Sequence, residues 1–112
     1  MKATIKITAP STGAIVTHET TTGAGIFDQR FIPFDVWERA AEAEGLPGDT
    51  LPSVGCGPKG IPYEATGVDG LFVQRGTVNL CRGVKTGPNS ADYTQHPYVA
   101  FPIEITTDYR NV

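Results

Sequence analysis

At 112 residues the chain is long enough for one domain with a single core and too short for two. Its 39% hydrophobic content is low for a globular chain, and 13 glycines and 9 prolines predict many loops without any low-complexity tract. Nine basic against twelve acidic residues leave a net charge of −3 with the cations scattered, which argues against a nucleic-acid-binding face, and the lack of any apolar run of about 18 residues predicts no membrane span.

Residues 2 to 8 alternate, with Ala3, Ile5 and Ile7 on one face and Lys2, Thr4, Lys6 and Thr8 on the other, the pattern of a half-buried antiparallel strand. This start reads as a strand and not as a signal peptide, so a cytoplasmic location is the default expectation. The breaker run from Ala9 to Gly13 predicts a turn, and a second strand follows from Ala14 to about Thr22, rich in threonine whose branched Cβ suits a pleated surface. The two strands are expected to pair as a hairpin. After Gly23-Ala24-Gly25, the segment from Ile26 to Phe34 reads as a third, less regular extended stretch that offers Phe27, Phe31 and Phe34 to the core.

One helix is predicted, over about residues 35–44. Asp35 is expected as its N-cap, with Glu38 three residues on completing a capping box, and Gly45 followed by Pro47 supplies the stop. Val36, Trp37, Ala40, Ala41 and Ala43 gather on one side, so the helix should lie close to a sheet with Trp37 as its anchor, a core role that outweighs a ligand platform.

From Gly45 to Gly70 there are seven glycines and four prolines without a sustained apolar period. Prolines at 47, 52, 58 and 62 remove donors and exclude a helix or a central strand, so residues 45–70 are expected to form a long ordered loop pinned by Leu46, Leu51, Val54, Ile61 and Tyr63. Leu71 to Gln74 and Thr77 to Cys81 then read as strands on either side of Arg75-Gly76, either a tight hairpin turn or one strand bulged at Gly76. Lys85 to Pro97 reads as a polar turn region. In the last strand Val99, Phe101, Ile103 and Ile105 share a face, while Pro102 on the polar face predicts an edge strand or a bulge. Residues 108–112 read as a polar tail.

Several groups could carry chemistry. Gly55-Cys56-Gly57-Pro58-Lys59-Gly60 matches the bare G-x-G-x-x-G spacing, but no convincing strand precedes it, Pro58 removes an amide and Ile61-Pro62-Tyr63 cannot open a helix, so phosphate cradling is not expected. His18, Cys56, Cys81 and His96 have the identities of zinc ligands without the close pairing that structural zinc sites use, so no metal or other cofactor is expected. A Cys56–Cys81 disulfide is sterically open, yet free thiols fit a chain without an export signal, and Cys81 reads as a small buried hydrophobe. A hydrolase would need Cys56 beside His18 or His96 with Glu64 or Asp69 orienting the ring, or the two histidines as acid and base beside Lys59 or Arg75. No strict nucleophile motif supports either, so the reading leans away from an enzyme.

The residue types that dominate contact surfaces are better represented. Tyr63, Tyr93, Tyr98, Arg75, Arg82 and Arg110 are the candidate partner- or ligand-binding residues, although each tyrosine taken singly reads more simply as a core rim with its hydroxyl in water. The expected fold is α+β, an antiparallel sheet of about five or six strands in the order β-β-(β)-α-loop-β-β-β with one helix across a face. Its expected core is Ile5, Ile7, Val16, Phe31, Trp37, Ala40, Leu71, Val73, Val78, Leu80, Val99, Phe101, Ile103 and Ile105. The expected function is a non-catalytic interaction protein, a small acidic inhibitor or adaptor that docks on a larger protein partner, with self-association into a homodimer through an exposed strand edge as a further expectation. The alternatives are a protein that sequesters a small charged ligand, using Arg75, Arg82, Asn79 and Tyr98 around a cleft, and behind it a small hydrolase.

Overall fold

The computed structural model describes residues 2–21, 32–56, 63–89 and 92–110. In chain order the elements are β1 (Lys2–Thr8), β2 (Ile15–Thr21), α1 (Phe34–Glu44), β3 (Ser53–Cys56), β4 (Tyr63–Ala65), β5 (Leu71–Cys81), β6 (Gly83–Lys85), β7 (Tyr93–Gln95) and β8 (Val99–Asp108). The fold is α+β. Its main sheet runs β2-β1-β8-β5-β3, all neighbours antiparallel, and β4 takes the other half of the β5 edge. β6 and β7 form a separate two-stranded ribbon. The expected extended segment from Ile26 to Phe34, and Phe31 with it, falls almost wholly outside the described residues.

The alternation of β1 does what its pattern implies. Ala3, Ile5 and Ile7 are buried, and across the ladder Ile5 meets Ile105 and Ile7 meets Ile103. Val78 and Leu80 of β5, Phe101 of β8 and Val16 of β2 extend this layer, and α1 covers it with Val36, Trp37, Ala40 and Ala41. Each of the larger aliphatic or aromatic side chains contributes roughly 1.5–3 kcal/mol by leaving water. Leu71 and Val99 are only half buried, and Val73 is buried away from this cluster, on the face that the helix does not cover.

The helix begins one residue before the expected start, and its cap is not the expected one. Pro33 occupies the N-cap at φ −60°, without a side-chain hydrogen bond, and the amide of Val36 donates to its carbonyl at 3.1 Å. No side chain caps this end, and Asp35, expected as the N-cap, instead lies in the first turn facing Arg39 at 3.7 Å. The stop is as the sequence implies. Gly45 is left-handed at φ 70°, the Gly45 amide donates to the Glu42 carbonyl, and the Leu46 amide reaches the Ala41 carbonyl, the paired bonds of a Schellman motif with Leu46 tucked into the core. The β1–β2 turn is tied to this end: Ser11 donates to Glu44 Oε1 from both its amide (2.9 Å) and its hydroxyl (2.8 Å).

Three expectations fail in the C-terminal half, each because pairing across the sheet overrides a local signal. Arg75-Gly76 is neither a hairpin turn nor a bulge, since β5 pairs β8 without interruption from Leu71↔Asp108 to Leu80↔Val99, with Gly76 opposite Ile103. β8 is not an edge strand, for it lies between β1 and β5. Pro102 is tolerated because the β1 ladder ends at Ile7↔Ile103, so at Pro102 the strand is flanked on the β5 side alone. The polar region between Lys85 and Pro97 contains β7, which pairs with β6. Within residues 45–70 the described parts include β3 and β4, two short strands on the β5 edge, and residues 57–62 lie outside the described residues. At the far end Asp108 closes β8, Tyr109 packs edge-on against Phe72 with ring centroids 5.5 Å apart, and Arg110 bonds back to Asp108.

Candidate functional site

The sheet and the ribbon meet at a break whose origin is chemical. β5 and β6 are separated only by Arg82, and β7 and β8 by His96-Pro97-Tyr98, so the four strands form one long hairpin interrupted in the middle. Leu80 pairs with Val99 below the break and Gly83 with Gln95 above it, which leaves one more residue on the β7–β8 side. Pro97 has no amide to give the ladder, and the register slips there. The His96 amide still donates to the Arg82 carbonyl at 2.9 Å, so the slip is confined to this step.

The segment before β3 braces the break. The Asp49 and Thr50 amides both donate to the Gly83 carbonyl, at 2.9 and 3.2 Å, and the Gly83 amide donates to Thr50 Oγ1 at 2.7 Å. Gly48 makes this approach feasible, because its φ is +123° and a Cβ there would stand 2.5 Å from the Gly83 oxygen. The Lys85 amide donates to Asp49 Oδ1 at 3.1 Å and Gln95 Nε2 to Ser53 Oγ at 3.2 Å.

On this braced step two tyrosines lie on bare backbone. A Cβ on Gly55 would come within 3.4 Å of the Tyr98 ring, and one on Gly83 within 3.0 Å of the Tyr93 ring. Both phenols remain about half exposed, at 50% for Tyr98 and 46% for Tyr93. Cys81 is a free thiol buried beside Tyr98. The Tyr98 hydroxyl is held above the ordinary phenol range, first by its electrostatic interaction with the adjacent Cys81, then by desolvation, by the hydrogen bond with Cys81 and by the neighbouring Tyr93. At neutral pH Tyr98 is therefore a neutral hydroxyl on a flat aromatic surface. Leu51, Val54 and Val84 are exposed at the same end of the molecule, so five of the eight large exposed hydrophobics among the described residues lie there.

The structure scatters the other sequence candidates. Arg75 is on the sheet face away from the helix with its Nε 3.0 Å from Glu104 Oε2, roughly 20 Å down β5 from the level of Cys81 at a rise of about 3.3 Å per residue. Arg75 therefore shares no cleft with Tyr98, while Asn79 does lie beside Gly55 and the Tyr98 ring. Arg82 lies in the step itself with its Nε buried and without a hydrogen-bond partner among the described residues. Arg110 holds Asp108 through two bonds of 2.9 and 2.8 Å at the opposite end, which keeps the Asp108 carboxyl down at about 2. Tyr63 pairs with Gln74 in β4, and its side chain lies outside the described residues. Of the six candidates, then, Tyr93, Tyr98 and Arg82 belong to the step, and Arg75 and Arg110 do not.

The two histidines weighed for metal or acid–base chemistry do not converge, while Lys59 and the side chains of Cys56 and Glu64 lie outside the described residues. His18 lies opposite Ile5 in β2, in register with Ile105, and His96 lies roughly 30 Å further along the strand direction. Among the described residues no three His, Cys, Asp or Glu side chains are grouped to hold a metal ion, and no helix is long and apolar enough to cross a membrane. Residues 57–60 of the glycine-rich match lie outside the described residues. Leu51 and Val54, expected to pin the 45–70 segment to the body of the protein, are exposed instead, and Val84 is not singled out by the sequence at all, since nothing in a single apolar residue separates an exposed position from a buried one. Comparison with protein-family models, with curated proteins and with solved structures finds no match.

Proposed function

We propose that the chain is a non-catalytic interaction module that docks on a larger protein partner through the tyrosine step between sheet and ribbon. The observation that carries this reading is the pair of half-exposed rings, Tyr93 and Tyr98, laid on glycine backbone beside exposed Leu51, Val54 and Val84. Aromatic groups held by packing lose little freedom when they are covered, and they supply large contact area for it. The acidic net charge of −3 favours partners with a basic docking face.

The test is a quantitative comparison of proteins retained from host lysate by the wild-type chain and by a Tyr93→Ser/Tyr98→Ser double variant, with a Phe34→Ser variant as a control for an exposed ring elsewhere. A protein that binds wild type and the Phe34 control, is lost from the double variant, and binds again when purified supports the reading. Identical retention by all three chains refutes it.

A further inference from the structure

On the sheet face opposite the helix, a groove of about 400 Å³ is lined by Lys6, Thr8, Ile15, Arg75, Gly76, Pro102, Ile103 and Glu104. It arises where the β1–β8 ladder stops at Ile7↔Ile103 and leaves Thr8 and Pro102 unpaired with each other. We infer that this groove binds a small zwitterion of the α-amino-acid type with an apolar side chain.

Three observations define that ligand. First, Lys6 and Arg75 flank Glu104 directly, because the register pairs Lys6↔Glu104 on one side and Arg75↔Glu104 on the other. Arg75 Nε donates to Glu104 Oε2 at 3.0 Å, while the Lys6 ammonium has no ion pair or hydrogen bond among the described residues and Glu104 Oε1 takes none. A cross-strand pair has its Cβ atoms roughly 5 Å apart, so the ammonium of Lys6 and the second oxygen of Glu104 are both within reach of a carboxylate and an ammonium borne on one carbon. Second, the row of two cations and one carboxylate carries one net positive charge, so the ligand carboxylate enters a favourable field while its ammonium has the Glu104 oxygen to meet. Third, Ile15 is 61% exposed and Pro102 is exposed beside it, which gives one apolar wall for a short hydrocarbon side chain. The volume suits a ligand of that size, within the range of small-molecule sites.

The inference is independent of the tyrosine step, which lies beyond the far end of β5. The experiment is an amide NMR titration with L-isoleucine, run beside 3-methylvalerate, which lacks the ammonium, and 2-methylbutylamine, which lacks the carboxylate. The expected result is saturable shifts at Lys6, Thr8, Ile15, Arg75 to Thr77, Ile103 and Glu104, with a dissociation constant on the order of 1 mM and each truncated probe at least about tenfold weaker. Glu104→Gln and Lys6→Ala, both on the solvent face, should weaken L-isoleucine by about tenfold each while their spectra stay dispersed. No saturable shift with L-isoleucine overturns the proposal, and so does 3-methylvalerate binding as well as L-isoleucine, which would mean that the groove takes simple carboxylates. Shifts gathered at Tyr93 and Tyr98 instead would also refute it.

Discussion

Two glycines a few residues apart offer a sharp test of how the break is held. Gly45 and Gly48 both have positive φ, at 70° and 123°, but only one is crowded. At Gly45 a Cβ meets nothing within 4 Å, so Gly45→Ala carries only the left-handed penalty of about 1–2 kcal/mol, offset by about 0.4–1 kcal/mol from a less flexible unfolded chain. The expected net destabilisation is about 1 kcal/mol. At Gly48 the added carbon stands 2.5 Å from the Gly83 carbonyl oxygen and 2.9 Å from Arg82 Cβ. That oxygen cannot retreat freely, because it accepts the Asp49 and Thr50 amides, each bond contributing about 1 kcal/mol. With a further 1–3 kcal/mol, roughly, for a backbone region that glycine alone visits readily, Gly48→Ala should cost about 3–5 kcal/mol. Thermal unfolding followed by circular dichroism should place Gly45→Ala about 4 °C and Gly48→Ala at least about 12 °C below wild type, for a domain of this size. If the two variants melted within about 2 °C of each other, the contact of residues 48–50 with Gly83 would not be the brace described.

Other perturbations follow the same geometry. Phe101 is fully buried and Phe34 is 45% exposed, so Phe101→Ala should cost about 3–5 kcal/mol in urea melts and Phe34→Ala under about 1 kcal/mol. The Asp108 carboxyl is depressed from 3.8 to about 2 by its bonds with Arg110, so its contribution to stability is complete above 3.8 and is lost as pH falls through about 2. Carboxyl NMR titration should return Asp108 toward the ordinary range in Arg110→Met, and an unchanged midpoint would refute the pairing. In a Cys56→Ser chain, Cys81 should react with Ellman's reagent at least about 100-fold more slowly when folded than in denaturant, because the thiol is reached only through local opening.

What could be read from the sequence is what local chemistry decides. The β1 alternation needs no partner to be seen, and neither does the Gly45 stop, where a left-handed residue and two terminal bonds lie within six residues. The N-terminal end of α1 is less legible: the D-x-x-E pattern points to Asp35 as the N-cap, whereas the helix starts at Phe34 behind Pro33, whose φ is fixed near the helical value. Arg75-Gly76 looked like a turn because a glycine in mid-strand is unfavourable alone, and only the continuous ladder to β8 makes it extended. The ribbon was invisible for another reason. Three-residue strands whose side chains are mostly exposed show no hydrophobic period. The same limit hid the groove: Lys6 and Glu104 each read as ordinary polar-face residues, and only the register sets one opposite the other.

The pairing of β1 with β8 also governs how the chain reaches its native state. Lys2 finds its ladder partner in Asp108, so the first of the described strands is completed by the last of them. Until residues 103–108 leave the ribosome, the β1–β2 hairpin has its inner edge unpaired and Ile5 and Ile7 without Ile105 and Ile103. Contacts of such long sequence separation place the chain among slow folders, on a scale of roughly milliseconds to seconds, and leave a nascent apolar edge open to other chains meanwhile. The alternating lysines and threonines of β1 then act as gatekeepers, since Lys2 and Lys6 put charge on the very strand that waits longest for its partner.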